Sequence, residues 1–398
     1  MNTNEKNLSK NTNYPWVVVA VTFLIGVAGS MVSNKVPPIT PSLMQAFQID
    51  LSQAGLLTFA VSLTSLLLAF PAGLLVQKTG VRRTGWLGLI TLIAGALIGA
   101  MTKDFSVLIA SRVIEGFGIA VLTIVPPTAI ALWFPSEKSG LPMGIWSTAT
   151  PTGGFLAMTL APAMEIQVGW TGVWLASAVF SMVCLLIFMI FMHPARGSKN
   201  KASESQPPFD FRLLLSNKSL WLLGFSLTLF SFSFMPVIIY YPTFLNEVFE
   251  MTLTKAGLMV GIISLVTLPG APFVGWLSDK LKTRKWIIVA GYLLLIPMTM
   301  LVFRLSEGWI IVSMVLLGLI ASSIPTLIYI SAPESVRNAK AVSLSIGLIT
   351  ALMNLGTMIS IPLFGQMVES IGWAATATWY MVAAVLGLGL ILLDRDLK

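Results

Sequence analysis

Hydrophobic positions in this chain come in long unbroken runs, separated by short polar or charged punctuation. Twelve runs stand out, over residues 15–40, 52–76, 84–102, 105–133, 138–164, 170–192, 219–245, 255–278, 286–303, 308–331, 339–368 and 373–393. A helix needs about 20 apolar residues to cross the hydrocarbon of a bilayer, and each run meets or approaches that length. Runs past about 25 residues imply tilt or projection beyond the bilayer. The ten-residue alternating segments of a membrane β-barrel are absent. The pattern predicts an all-α integral membrane protein of 12 transmembrane helices.

Composition agrees. Of the 398 residues 56% are hydrophobic and 10% charged, with a mean hydropathy of +0.87. A soluble domain carries about 25% charged residues, so a water-soluble globule of this length would lack the polar surface to cover itself. That excludes a soluble enzyme, a disordered scaffold and a nucleic-acid binder. Residues 1–14 form a polar tail. Ala28-Gly29-Ser30 loosely resembles a small-residue cleavage site, but the apolar run continues into a polytopic pattern, so an uncleaved first span is expected.

The net charge of +8 is a topology signal. With the N-terminus in the cytoplasm, nineteen of the 24 Lys and Arg fall in cytoplasmic segments, which places both termini inside a cytoplasmic membrane. The longest non-apolar stretch, 193–218, follows six runs and precedes six more. It reads as a cytoplasmic linker between an N-terminal half (15–192) and a C-terminal half (219–393), with a short tail at 394–398. Cys184 and His193 are single residues of their kinds, so neither a disulfide nor a Cys/His metal site is expected.

The two halves echo each other. Gly73-Leu-Leu-Val-Gln77-Lys78-Thr-Gly80-Val-Arg82-Arg83 follows the second run, and Gly275-Trp-Leu-Ser-Asp279-Lys280-Leu-Lys282-Thr-Arg284-Lys285 follows the eighth. Pro135-Ser-Glu137-Lys138 and Pro333-Glu334-Ser-Val-Arg337 repeat at almost the same spacing. At these residues the chain resembles the major facilitator superfamily over essentially its whole length, through that family's motif G-x-x-x-D-[RK]-x-G-[RK]-[RK]. The resemblance implies two pseudo-symmetric six-helix halves, and a cytoplasmic gate formed by Gly73, Gln77, Lys78, Gly80, Arg82, Arg83, Gly275, Asp279 and Lys280. Gln77 departs from the pattern, standing where the family usually has Asp. Ser111-Arg112-Val-Ile-Glu115-Gly116-Phe-Gly118 is similar to the family's R-x-x-x-G-x-G motif. Gly144 to Gly154 only partly resembles the proline-glycine pattern common in antiporters, and helix bending with close packing explains it as well. The proline segment of span 1 and Met143-Gly-Ile-Trp-Ser look somewhat like the cyanate/nitroimidazole-permease branch.

Ionisable groups inside a membrane cost about 2.5–3.5 kcal/mol on insertion scales, so each is a functional candidate. Arg112 and Glu115 lie three residues apart on one helix face. They form a structural ion pair, or Glu115 takes part in proton coupling and Arg112 binds substrate charge. Lys35 follows Asn34 and precedes Pro37, Pro38 and Pro41, which must loosen the outer part of span 1. It either snorkels to the outer interface or lines a cavity. The resemblance implies that spans 1, 4, 7 and 10 line the central path, which places Asn34, Lys35 and Arg112 around one cavity suited to a small anion. In the second half Tyr240, Tyr241, Tyr329 and Asn354 are the candidates for orienting a substrate.

No nucleotide-binding loop of the G-x-x-x-x-G-K-[ST] type is present, so ATP hydrolysis by this chain is excluded and no cofactor is expected. The reading is a monomeric secondary transporter, not an enzyme, working by alternating access. It moves a small organic or inorganic anion (carboxylate-like) by proton coupling or exchange. Proton-coupled export of lipophilic drugs and a non-transporting membrane sensor stand as the alternatives.

Overall fold

The computed structural model describes residues 14–193, 216–336 and 341–397. The expected N-terminal tail, most of the 193–218 linker, Arg337 and Lys340 lie outside the described residues. Helices account for nearly everything else: α1 Tyr14–Asn34, α2 Thr40–Phe47, α3 Leu51–Met101, α4 Phe105–Trp133, α5 Gly140–Ser147, α6 Ala149–Phe191, α7 Lys218–Phe249, α8 Leu253–Leu281, α9 Lys285–Leu301, α10 Ile310–Ser335, α11 Val342–Ile371 and α12 Trp373–Leu393. Among the described residues nine helical stretches are long and apolar enough to cross a membrane, and Lys285–Leu301 is a shorter apolar helix. Large apolar side chains face outward, among them Leu67, Met101, Ile166 and Trp379. In water that surface would drive aggregation; in lipid it is the required exterior. The chain is a multi-pass membrane protein.

Two of the stretches are longer than one crossing, and each is interrupted by a glycine. Gly80 in α3 has φ 83 and ψ 160, and Gly169 in α6 has φ 73 and ψ 175, where a Cβ would be strained. Divided there, and with α2 and α5 taken with the helices they adjoin, the described helices give twelve segments. Residues 77–83, expected as a loop, are therefore helical on both sides of Gly80. Gln77, Lys78, Arg82 and Arg83 are good helix formers, so the punctuation shrinks to one residue.

The chain divides into two compact units. One comprises the described parts of Met1–Pro135, Ile145–Phe209 and Val342–Gly347; the other comprises those of Ser136–Gly144, Asp210–Ala341 and Leu348–Lys398. The first unit thus takes in the start of α11. A Cβ on Gly73 would lie 2.8 Å from the Ser343 carbonyl oxygen, and the Ser343 hydroxyl donates to the Gly73 carbonyl at 3.0 Å. The second unit takes in the start of α5. A Cβ on Gly275 would lie 2.1 Å from the Gly140 carbonyl oxygen, and one on Gly144 would lie 2.3 Å from that of Ala271. Each repeated glycine therefore lies against a backbone that a side chain would exclude.

This contact carries a prediction. Gly275→Val should lower stability by about 1–3 kcal/mol through overpacking. Gly257→Val on the same helix, where a Cβ meets nothing within 4 Å, should not. Thermal unfolding in detergent separates the two, and equal midpoints would count against the close approach.

Candidate functional site

The proline segment builds the site. Pro37 and Pro38 have no N–H, so the carbonyls of Ser33 and Asn34 have no helical donor. The helix stops at Asn34, and the chain continues as a 3-10 turn over Pro37–Ile39 and then α2. Helix ends leave carbonyls to be satisfied, and here a side chain from α4 does it. Arg112 Nη1 donates to the Val32 carbonyl at 3.0 Å and Nη2 to that of Ser33 at 3.4 Å. Its Nε donates to the Leu57 carbonyl of α3 at 3.2 Å. The expected loosening is a clean break, closed by a guanidinium.

Lys35 is the first residue past that break. It does not snorkel: it is 2% exposed, while Arg112 and Glu115 are 0% exposed. Its Nζ lies 2.6 Å from Glu115 Oε1, donates to Ser177 Oγ at 3.1 Å, and stands 4.4 Å from the centre of the Trp174 ring. Glu115 Oε2 accepts from Arg112 Nη1. One carboxylate therefore serves two cations, and the cluster holds a formal charge of +1. Packing makes room for it. A Cβ on Gly95 of α3 would sit 2.6 Å from Glu115 Cγ, and one on Gly116 would sit 2.7 Å from Thr64 Cβ.

Burying an ion pair recovers its desolvation cost only with good geometry and further hydrogen bonds. Both conditions hold, and the partial negative charge at the C-terminus of α1 adds to the stabilisation of Arg112. On one side the cluster borders an apolar group of Val36, Ile39, Leu43, Leu57, Leu108 and Trp174. Phe47 packs there against Phe105 and Trp170, and Ser42 Oγ donates to Glu165 Oε1 at 2.6 Å. Asn34 is half-buried, its Nδ2 donating to the Ser30 carbonyl at 2.8 Å. A Cβ on Gly154 would meet only that Nδ2, at 3.9 Å, whereas one on Gly153 would sit 2.6 Å from Ser30 Cβ. Gly153 is a packing residue, and Gly154 leaves space beside the amide.

Lys35, Arg112 and Glu115 are thus brought together, while Asn34, next to Lys35 in the chain, bonds back to Ser30 of its own helix. The second unit's candidates are not. Tyr240 donates to the Ile361 carbonyl at 3.0 Å and stacks on Phe364. Tyr241 is buried against Phe244 and Phe303. Tyr329 shares a 2.9 Å hydrogen bond with Thr350 of α11, and Asn354 lies half-buried one turn further on. Ser177 and Trp174 are the residues that sequence reasoning missed. A Ser and a Trp in an apolar helix read as packing, and no signal there marks them as partners of a lysine.

The repeat motifs differ between the units. Asp279 accepts from the Gly140 N–H at 2.9 Å and the Leu141 N–H at 3.3 Å, capping α5. Arg284 Nη2 lies 3.5 Å from Asp279 and 2.7 Å from Glu334, and donates to the Ser136 carbonyl at 2.7 Å. Lys280 Nζ stands 5.0 Å from the Trp276 ring centre. In the first copy Gln77 makes no hydrogen bond to a described residue. Arg82 donates to the Met189 carbonyl at 3.2 Å and lies over Trp86, while Lys78 and Arg83 are exposed.

Long apolar helices with large apolar side chains facing outward define a polytopic membrane protein. A sequence profile of the Major Facilitator Superfamily matches residues 18–345 and 256–396, and the chain belongs to that family. It is 25% identical over 279 residues to the cyanate transport protein CynX of Escherichia coli (strain K12), covering 70% of this chain and 71% of that one. It is 24% identical over 287 residues to the probable nitrate transporter NarT of Staphylococcus carnosus (strain TM300), covering 70% and 72%. The crystal structure of the human organic anion transporter MFSD10 superposes with a TM-score of 0.79 at 16% identity, covering 95% of this chain and 99% of that one. The protein is a transporter of small molecules and not an enzyme.

Proposed function

We propose that the protein is a secondary active transporter of a small anion, inorganic or carboxylate-like. It works across the cytoplasmic membrane by alternating access of the two halves joined by the 193–218 linker, as a monomer with both termini in the cytoplasm. The observation that carries this reading is the buried Lys35–Glu115–Arg112 cluster, with its unbalanced positive charge. A fixed positive charge in a low-dielectric setting attracts an anion and penalises a cation. Lys35 and Asn34 are the groups offered to the substrate, and Arg112 holds the cluster in place. Glu115 is the coupling acid. Cyanate and nitrate, the anions named for the two relatives, are the natural first probes.

Proteoliposomes holding the purified protein test this. Nitrate, cyanate and small carboxylates would be set against lipophilic cationic dyes, with and without an imposed pH gradient. Saturable anion uptake is the expected result. Dye movement without anion flux would move the assignment to drug export.

A further inference from the structure

We infer that the groove between the end of α9 and the start of α10 is a phospholipid site. The groove takes one acyl chain, and Arg304 pairs with the phosphate of a net-anionic headgroup. The site is independent of the solute that the protein moves.

A short helix opens the groove. α9 has 17 residues, about 25 Å at 1.5 Å per residue, which falls short of the roughly 30 Å of hydrocarbon that a span crosses. Pro297 lies inside it. A proline removes the N–H that would bond the carbonyl four residues back and kinks or breaks a helix, and α9 ends one turn later at Leu301. α10 begins at Ile310, directly after a 3-10 turn over Glu307–Trp309. Beside these two helix ends runs an open groove of about 250 Å³, walled by Met298, Leu301 and Leu305 on one side and by Trp309, Val312 and Leu316 on the other. Ser313 also lines it, but its hydroxyl is spent on the Ile310 carbonyl at 2.7 Å. Such a wall suits an alkyl chain. Left unfilled it would forfeit dispersion contacts, and the acyl chains of the bilayer are the apolar groups at hand.

Charge selects the headgroup. Arg304 lies in the chain between the wall residues Leu301 and Leu305, and it is exposed. Its Nη2 donates to the Ala374 carbonyl at 2.9 Å and to the Thr378 hydroxyl at 2.8 Å, both on α12, which fixes the guanidinium at the end of α9. Among the described residues no carboxylate pairs with it. Glu307, the acid of the same turn, lies 3.6 Å from Lys255 instead. A guanidinium with N–H groups to spare is matched to a phosphate, and an unneutralised one favours a headgroup of net negative charge. A span shorter than the hydrocarbon draws its flanking residues and the headgroup layer together. Trp309, 57% exposed, is of the residue type that settles at that depth.

Photolabelling of the purified full-length protein in detergent micelles tests this, with a phosphatidylglycerol that carries a diazirine at the end of one acyl chain. Adducts should map to peptides between Met298 and Leu316. Unlabelled phosphatidylglycerol should displace the probe at about 5-fold lower concentration than phosphatidylcholine with the same chains, as expected for one cation beside the phosphate. Inorganic phosphate should not displace it. Arg304→Gln should erase the preference between the two lipids. Val312→Trp, which fills the groove from an exposed position, should abolish the adducts. Absence of adducts from this segment, or equal displacement by the two lipids, would overturn the site from the unsubstituted protein alone, however the variants fold. Displacement by inorganic phosphate would overturn the role of the acyl chain, and so would adducts that persist in Val312→Trp.

Discussion

Replacing Lys35 with glutamine should weaken saturable anion uptake while leaving the protein folded and membrane-inserted. A charge-assisted hydrogen bond is worth about 1.5–3 kcal/mol, so substrate affinity should fall on the order of 10- to 100-fold. Folding should tolerate the change because Glu115 keeps Arg112, leaving a neutral pair still bonded to the backbone of α1 and α3. Concentration dependence of uptake gives the affinity, and thermal unfolding in detergent reports the fold. An unchanged apparent affinity would remove Lys35 from the substrate site. A collapsed unfolding midpoint would make it a structural residue instead.

Glu115→Ala should be the most destabilising single change in the cluster, by about 3–5 kcal/mol, because it strands two cations that are 2% and 0% exposed. Adding Lys35→Met in that background should recover much of the loss, since one of the stranded charges disappears. Unfolding midpoints of the single and double variants form a cycle that isolates the coupling. If Glu115→Ala cost no more than Lys35→Ala, or if the second change failed to restore stability, the shared-carboxylate arrangement would not be holding the cluster.

Much of this was legible in the chain because a membrane simplifies the code. Hydrocarbon demands continuous apolar helices, so runs of Leu, Ile, Val and Phe announced nearly every segment, and the repeated motifs marked Gly73 and Gly275, each of which lies against a neighbouring backbone. Boundaries were less legible. The 77–83 and 165–169 stretches looked like loops, yet one glycine in each, Gly80 and Gly169, absorbs the whole interruption. The prolines after Lys35 correctly marked a break but not its consequence. That the unsatisfied Ser33 carbonyl is met by Arg112, some eighty residues away, depends on how α1 and α4 pack. Lys35, Arg112 and Glu115 were legible singly, since a charge in an apolar run is conspicuous. Their union in one cluster was not, because periodicity relates residues only within one helix. Ser177 and Trp174 were silent for the same reason, as were Tyr240 and Tyr329, whose hydroxyls serve the Ile361 carbonyl and Thr350.

Solute counterflow tests the central claim most directly. Proteoliposomes preloaded with unlabelled anion and diluted into a trace of the labelled form should accumulate label transiently, with no pH gradient or potential imposed. The account predicts this overshoot for nitrate or cyanate with the unsubstituted protein and its loss with Lys35→Gln. Absence of an overshoot for either anion from a folded, correctly reconstituted protein would contradict it.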